Sequence, residues 1–408
     1  MNNAPGPKPL TMSQVLLFGA LVVTLSMGIR HGFGLFLQPI IAERGWTRET
    51  FAFALAVQNL AWGLGGPFAG VVADQKGAFR VLLIGALLYA AGLTTMATAT
   101  TGAGFTFGAG VLVGLAQAGT TYAVVYGVIG RNLPAERRSW AMGMTAAFGS
   151  FGQFAMVPVE NSLIGGLGWQ SALYVLSLLA LLIVPAAFGL REPRRDGTAP
   201  TGGPRQSARS ALREAFAYPS FRWLMAGYFV CGFQLAFIGV HMPSYLKDHG
   251  LTPDVAATAL ALIGLFNIVG TYGAGVLGQR LAKRHILATI YAMRGLSIVL
   301  FVLLPLSPGS VYVFASVMGV LWLSTVPPTN AVVAQIFGVQ YMSMLGGFVF
   351  LSHQVGSFIG VWLGGRLFDL TGSYAVVWWM AAALGFMAAL ANLPVRESPI
   401  VRSQAQPA

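Results

Sequence analysis

Almost all cationic residues of this 408-residue chain fall in short segments between long apolar runs. Of 24 Lys and Arg residues, only Arg30 and Arg294 lie inside such runs, and no Asp or Glu lies near the middle of one. Glu160 comes nearest, at the end of the fifth run. A cation buried in hydrocarbon is costly and is usually kept for a function. Because no buried anion matches these two cations, the pattern predicts that an anionic partner arrives from solution.

The composition predicts an integral membrane protein. Hydrophobic residues make up 56% of the chain and charged residues 9%, which is too little polar surface for a soluble protein of this length. The 52 glycines suit closely packed transmembrane helices. The net charge of +12 lies in the segments between runs, with no aromatic-interleaved basic face, so it predicts lipid contact and no nucleic acid binding. Cys231 is the single cysteine, which excludes a disulfide within the chain and a cysteine metal site.

Twelve apolar runs reach the length of about 20 residues that a helix needs to cross a bilayer. They are 14–38, 50–73, 80–99, 104–129, 139–161, 170–190, 220–245, 253–278, 285–305, 310–333, 342–365 and 373–393. We predict an all-α membrane protein with an N-terminal six-helix half at 1–190 and a C-terminal half at 220–408. A polar linker at 191–219 joins them and contains a short amphipathic helix near Ser207–Phe216.

The distribution of Lys and Arg predicts the topology. With both termini cytoplasmic, 18 of the 24 lie on the cytoplasmic side, and four lie outside: Arg44, Arg48, Lys247 and Arg366. This asymmetry follows the positive-inside rule. We therefore expect a multi-pass, monomeric protein of a bacterial cytoplasmic (inner) membrane.

A loop motif after the second run carries a family resemblance. The spacing Gly70-x-x-x-Asp74-x-x-Gly77-x-x-Arg80 is similar to the signature loop of the major facilitator superfamily. The resemblance covers essentially the whole chain and implies two pseudo-symmetric bundles of six helices. It also implies a gating role, in which Asp74 pairs with Arg80 or a helix N-terminus and Gly77 permits the turn. The alternative is an ordinary solvated ion pair, which contributes little.

Three further motifs resemble the monocarboxylate and oxalate:formate branches of that superfamily: Gly45-Trp46, Gly168-Trp169 and Asp369-x-x-Gly372-x-Tyr374. Monocarboxylate carriers of this kind place their substrate-binding Arg in the eighth helix. Here that stretch, FNIVGTYGAG, contains no Arg, and its polar side chains are Asn267 and Thr271.

The two buried cations are the first candidates for anion contact. The resemblance places the first helix along the central cavity, so Arg30 either contacts the substrate or anchors the helix at the outer interface. Gln58 lies at a similar depth in the second run. Arg294 either reaches the cavity or bonds carbonyl groups at a helix end as a structural residue. His31 adjoins Arg30, and its role stays open.

His353 is the predicted proton-coupling residue, because imidazole titrates near neutrality and no carboxylate lies at midplane. The alternative is a histidine that only holds two helices together. His241, near the outer end of the seventh run, is a gate or interface group. The other candidate substrate-binding residues are polar or aromatic groups of the predicted helices: Gln117, Tyr122, Gln234, Asn267, Trp322, Thr325 and Gln354.

Enzymatic motifs are absent from the sequence, including nucleotide-binding loops, catalytic triads and metal-binding patterns. We therefore expect no enzyme activity, cofactor or metal. The prediction is secondary active transport of a small organic anion, most simply a monocarboxylate, by proton symport or anion exchange. Its partners would be the anionic solute, protons or a counter-anion, and the lipid bilayer. The alternatives are an efflux pump for amphipathic compounds, which predicts an acidic residue in the cavity, and a membrane sensor, which usually adds a soluble domain.

Overall fold

The computed structural model describes residues 10–192, 207–338 and 342–400, and every regular element in these ranges is a helix. The N-terminal elements are α1 Met12–His31, α2 Phe33–Arg44, α3 Arg48–Lys76, α4 Ala78–Thr98, α5 Gly102–Phe105, a π-helical turn Thr106–Leu112, α6 Val113–Thr120, α7 Tyr122–Asn132, α8 Ala135–Leu181 and α9 Ile183–Gly189. The C-terminal elements are α10 Ala208–Ala217, α11 Pro219–Asp248, α12 Pro253–Leu277, α13 Lys283–Leu303, α14 Pro308–Leu321, α15 Val326–Phe337, α16 Met342–Thr371 and α17 Ala375–Asn392.

These helices form twelve membrane crossings within the described chain. Ten stretches are long and apolar enough to span a bilayer by length and composition. One of them, Trp140–Gly189, changes direction at Gly168, which has φ 80°, and so contains two crossings. Helix α3, with 29 residues, supplies the remaining one. The predicted fold class is confirmed.

Several predicted crossings are interrupted, and two of the breaks bear on the candidate residues. The first crossing breaks at Gly32, between α1 and α2. The tenth breaks between Leu321 and Val326, just before a proline pair that removes backbone donors. Such breaks are tolerated in a membrane only where other groups take up the freed backbone hydrogen bonds.

Arg294 and Asn267 take up the bonds that the second break leaves free. Arg294, with a side chain that is 0% exposed, donates from Nε and Nη2 to the carbonyl oxygen of Leu321, at 3.1 and 2.6 Å, and from Nη2 to that of Trp322. The Asn267 side-chain oxygen accepts from the amide of Leu323 at 3.0 Å. Arg294 therefore bonds carbonyls at a helix end, the structural alternative that the sequence left open.

The hydrophobic interior falls into two clusters. One is drawn almost entirely from residues 15–190 and the other almost entirely from residues 215–395. Between them, the short helix predicted in the linker is present as Ala208–Ala217, whereas 193–206 lies outside the described residues. The exact boundaries of the two halves remain predictions.

The two bundles meet along three helix pairs: α3 with α16, α8 with α12, and α2 with α11. On α3, contacts with the opposite bundle extend to Gly63, where an added Cβ would meet Gln354. Beyond that point Phe68 is 75% exposed and a Cβ at Gly66 or Gly70 would meet no atom within 4 Å.

Helix α12 shows the same division. Its Asn267 donates to the hydroxyl of Ser150 on α8 at 2.9 Å, whereas Tyr272, five residues later, is 76% exposed. The bundle pair is therefore closed at the end where α1 and α2 finish and open at the opposite end. We call these the closed end and the open end.

We expect the closed end to face outward, because the count of Lys and Arg puts both termini inside. In a Cys231→Ser background, Gly309→Cys, exposed at the closed end, should react with a membrane-impermeant maleimide in intact cells. Ser207→Cys, beside α10, should react only after lysis. Labelling of Ser207→Cys in intact cells would contradict this orientation.

Candidate functional site

Arg30 lies in the last turn of α1, directly before the break at Gly32. Its Nη2 donates to the side-chain oxygen of Asn59 on α3, and its guanidinium lies over the ring of Trp62, 5.0 Å from the centroid. Its Nε is buried and has no hydrogen-bond partner. None of the ion pairs found in the described residues includes Arg30. The guanidinium thus keeps an uncompensated charge and a free donor, as a carboxylate ligand requires.

A row of aromatic rings connects Arg30 to the opposite bundle. Trp62 contacts Phe350 of α16 edge-on, with ring centroids 5.3 Å apart. Phe350 stacks on His353 at 5.9 Å, and His353 contacts Tyr228 of α11 at 5.1 Å. The row therefore crosses the interface between bundles at the level where the closed region ends.

The imidazole of His353 lies among polar groups of its own helix. Its Nδ1 is 3.0 Å from the side-chain oxygen of Gln354 and 3.4 Å from the hydroxyl of Ser357. The Gln354 side chain is completely buried, and its Nε2 has no partner. His353 and Gln354 therefore place a titratable ring and an unused donor on the far side of the rings from Arg30.

His31 turns the other way from Arg30. Its Nε2 donates to the carbonyl oxygen of Leu260 on α12 at 3.0 Å, and its ring meets Trp322 edge-on at 6.2 Å. Two consecutive residues at the end of α1 thus contact different helices. Arg30 contacts α3 of its own bundle, and His31 contacts α12 of the opposite bundle. Movement of α1 at the Gly32 break would affect both contacts.

Three predicted glutamines are used in packing within one bundle. Gln58 donates to the carbonyl oxygen of Ala109 at 2.8 Å, and the neighbouring residue, Asn59, is the one that bonds Arg30. Gln117 donates to the hydroxyl of Tyr89 at 2.7 Å. Gln234 donates to the carbonyl oxygen of Ala381 at 2.8 Å. The side-chain oxygens of Gln117 and Gln234 are buried and have no partner in the described structure.

The other candidates also contact protein groups. Tyr122 packs on Tyr126, with centroids 5.6 Å apart, and the Thr325 hydroxyl lies 3.4 Å from the Cys231 sulfur. His241, fully buried, bonds the hydroxyl of Tyr374 at 3.0 Å and the carbonyl oxygen of Val361 at 2.8 Å. It lies near the closed end, and its contacts are within the C-terminal bundle.

The signature loop is described only in part. Gly77 has φ 85° and joins α3 to α4, a backbone conformation that favours glycine. Arg80 is exposed, and the side chain of Asp74 lies outside the described part of the structure. The gating role of this loop stays a prediction.

The closed end is held by a charged contact between bundles. Arg48, the first residue of α3, donates to both carboxylate oxygens of Asp248 on α11, at 2.6 and 2.7 Å. It also donates to the hydroxyl of Tyr374 at 3.0 Å, and its guanidinium lies 3.6 Å above the ring of Phe368. Two parallel bonds of this kind are among the strongest polar contacts in proteins. Arg48 therefore ties the start of α3 to α11 and to the α16–α17 connection.

Asp369, at the end of α16, adds a helix cap across the same interface. Its carboxylate accepts from the backbone amides of Arg48 and Glu49, at 3.2 and 2.7 Å. Such a carboxylate satisfies free amides at a helix start and interacts favourably with the helix dipole. Glu49 in turn accepts from Arg366 at 3.0 Å and from the Trp362 indole at 3.1 Å.

Comparison with known proteins identifies the family. The model of the Major Facilitator Superfamily matches residues 16–350. The chain belongs to the major facilitator superfamily. Rat monocarboxylate transporter 13 is 27% identical over 399 residues, covering 94% of this chain and 89% of that protein. The Bacillus subtilis (strain 168) protein described as uncharacterized MFS-type transporter YcxA is 23% identical and covers 89% of this chain and 90% of its own length.

A solved structure has the same fold. The bacterial homologue of the human lysosomal transporter Spinster, in an inward-facing and unoccupied conformation, matches with a TM-score of 0.71 at 17% identity. The match covers 94% of this chain and 98% of that one. The resemblance deduced from the signature loop is therefore confirmed, and this chain is a major facilitator transporter.

Sequence reasoning missed several residues of this major facilitator protein. Asp369 stood in a recognised motif, but nothing in the motif showed that it caps α3. Arg48 and Asp248 were visible as charges at the ends of two runs, and their opposite signs were an available signal. Trp62 and Phe350 carried no signal, because aromatic residues are common throughout such chains.

Removal of the Arg48–Asp248 contact should open the closed end. We expect Arg48→Gln to shift the equilibrium by about 1.5–3 kcal/mol, the value of hydrogen bonds to charged groups. Spin labels at Ala103→Cys and Gly309→Cys, one in each bundle, would report the change by electron–electron distance measurement in a Cys231→Ser background. Lys283→Gln is a matched control, since Lys283 pairs with Glu397 of its own bundle at 3.5 Å. Identical distance distributions for Arg48→Gln and the control would contradict this role.

Proposed function

We propose that this major facilitator is a secondary active transporter of a small organic anion, specifically a monocarboxylate, that works by alternating access. Transport is coupled to a proton or to exchange for a second anion. The observation that carries the proposal is Arg30, a cation beside the interfacial ring of Trp62 with an unpaired charge and a free buried Nε. A carboxylate is the simplest ligand that supplies both an opposite charge and acceptors.

The surroundings of Arg30 suit an organic acid better than an inorganic anion. Trp62, Phe350 and Tyr228 provide ring surfaces close to the cation and to His353. Such surfaces can cover the hydrocarbon part of a small carboxylic acid while Arg30 contacts its carboxylate. The relatives named monocarboxylate transporter support the same substrate class.

The predicted orientation gives this arrangement a direction. With the termini inside, the open end faces the cytoplasm, so the anion site would communicate with the cell interior in this state. Opening of the Arg48–Asp248 contact and closure of the opposite end would expose the site to the outside. An anion that binds both states unequally would shift this equilibrium by its difference in affinity.

Arg30→Gln should weaken anion binding by about 1.5–3 kcal/mol, or roughly 10- to 150-fold, because a charge-assisted bond is lost. Binding would be measured as ligand-induced stabilisation in a thermal unfolding assay. Arg294→Gln is the control cation: it should lower stability without ligand, since it leaves two buried carbonyls unsatisfied. Equal ligand-induced stabilisation of the wild type and Arg30→Gln would remove Arg30 from the site.

We also propose that His353 is the group whose protonation attracts the anion. Proteoliposomes should accumulate a radiolabelled monocarboxylate, with uptake rising as the external pH falls, because a protonated imidazole attracts the anion. His353→Gln should flatten this pH dependence and leave anion exchange partly intact.

Two results would contradict these proposals. A full pH response in His353→Gln would exclude His353 as the titrating group. Failure of every carboxylate in a panel to enter, together with transport of amphipathic cations, would favour the efflux alternative.

A further inference from the structure

Glu160 is a buried carboxyl group that none of the proposed roles above uses. Helix α8 does not end at residue 161, as the apolar run predicted, but continues to the turn at Gly168, about two helical turns farther. Glu160 therefore lies inside the helix, and its side chain is 0% exposed. Neither carboxyl oxygen has a hydrogen-bond partner in the described structure.

The carboxyl group is enclosed by a close helix pair. Helices α1 and α8 approach each other closely at glycines, and a Cβ added at Gly28 of α1 would meet Met156 of α8. One turn farther along each helix, a Cβ at Gly32 would overlap the Glu160 carboxyl. Glu160 is thus held against the backbone at the break between α1 and α2. The amides that begin α2 follow Gly32 directly but do not donate to it.

No charged or titratable group described on the neighbouring helices donates to the Glu160 carboxyl. On α1, Arg30 donates to Asn59 and His31 donates to a carbonyl oxygen of α12. On α4, the Tyr89 hydroxyl donates to the carbonyl oxygen of Ser26 at 3.0 Å. Arg30, whose charge is otherwise unpaired, makes no ion pair with the Glu160 carboxyl in the described structure.

The remaining neighbours do not compensate it either. On α12, the Asp254 side chain accepts from Asn161 at 2.7 Å and offers no cation. At the far end of α2, Glu43 accepts from the Trp169 indole at 2.6 Å and Arg44 lies over the Trp169 ring. On α7, Tyr122 and Tyr126 pack on each other.

We infer that Glu160 is a proton-binding site and that its proton is required for the closed end to close. An ionised carboxylate without donors or counter-ion is very costly in a buried site, so the packed arrangement selects the neutral acid. Loss of the proton requires water to reach the carboxylate, and this means separating α8 from α1 or α12. Gln153 and Val157 precede Glu160 by seven and three residues on the same side of α8; a Cβ at Gly264 of α12 would meet Gln153, and Val157 belongs to the C-terminal hydrophobic cluster. Glu160 therefore lies beside the interface between bundles, where that separation would occur.

This site adds a second role for protons to the proposed function. Protonation of His353 acts on the anion, whereas protonation of Glu160 acts on the conformation, so the two can be tested apart. Glu160 holds its proton more tightly when the closed end is packed shut than when that end has opened. Lower pH therefore favours the packed state, and higher pH favours opening of that end. In a transporter without substrate, release of the Glu160 proton would allow this end to open. The inference shares with the proposed function only the requirement that this end can open.

The test uses the full chain without substrate. Spin labels at Ala103→Cys and Gly309→Cys, in a Cys231→Ser background in lipid nanodiscs, would report separation at the closed end between about pH 5 and about pH 9. As the pH rises through the range in which Glu160 loses its proton, we expect the ratio of closed to open molecules to fall. The fall should be at most about tenfold per pH unit, which is the limit for one linked proton. Glu160→Gln, which mimics the neutral acid, should remain closed throughout.

Two controls separate this carboxyl from its neighbours. Asp254→Asn removes a nearby exposed carboxylate and should retain the pH dependence, as should His353→Gln. Infrared difference spectra should show the carbonyl stretch of a protonated carboxylic acid that is present in the wild type and missing in Glu160→Gln.

The inference is overturned if Glu160→Gln keeps the wild-type pH dependence of the distances, if the wild type shows none, or if the infrared band is absent at acidic pH. None of these outcomes depends on substrate identity. A failure of anion uptake would therefore count against the proposed function alone.

Discussion

A polar group inside this bundle must find its partner within the protein, because the surrounding hydrocarbon offers none. The tenth crossing shows how strictly this holds. Its backbone is interrupted between α14 and α15, and the freed groups are taken up by Arg294 and Asn267. Arg294 bonds these carbonyl oxygens through Nε and Nη2, whereas its Nη1 has no partner. The free-energy cost of burying this charge is offset by its hydrogen bonds to the carbonyl oxygens that the helix break leaves free.

The same constraint gives meaning to groups that lack partners. Arg30 has an unpaired charge and an unused Nε, Gln354 has an unused amide, and Glu160 has two unused oxygens. In an apolar interior each such group destabilises the state in which it occurs unless a ligand, a proton or a change of conformation satisfies it. An anion for Arg30 and a proton for Glu160 are the ligands that fit these groups. Together they would make a cycle in which binding events and conformation depend on each other.

The contact between bundles is suited to reversible opening. Its strongest element, Arg48 with Asp248, is partly exposed, with side-chain exposures of 10% and 27%, so water can replace the bonds as they break. The Asp369 cap and the aromatic contacts at the centre each add a modest stabilisation of this contact. An equilibrium held by a few such contacts lies within the range that a proton or a substrate can shift through its differential affinity.

The sequence by itself determined the class of protein, the twelve crossings, the family and the positions of two buried cations. These follow from local properties, since a bilayer requires about 20 apolar residues per helix and penalises charge wherever it lies. The tertiary structure alone showed what each cation contacts, because only packing shows that Arg294 meets helix-end carbonyls and that Arg30 meets Asn59 and Trp62. It also decided that Asn59 and not Gln58 meets Arg30, since neighbouring helical positions point about 100° apart. The contacts of Arg48 join residues 200 and 326 positions apart in the chain, and the burial of Glu160 depends on how far α8 extends and what packs on it. No local pattern specifies such partners, because they are set by the rotation of each helix and by neighbours distant in sequence.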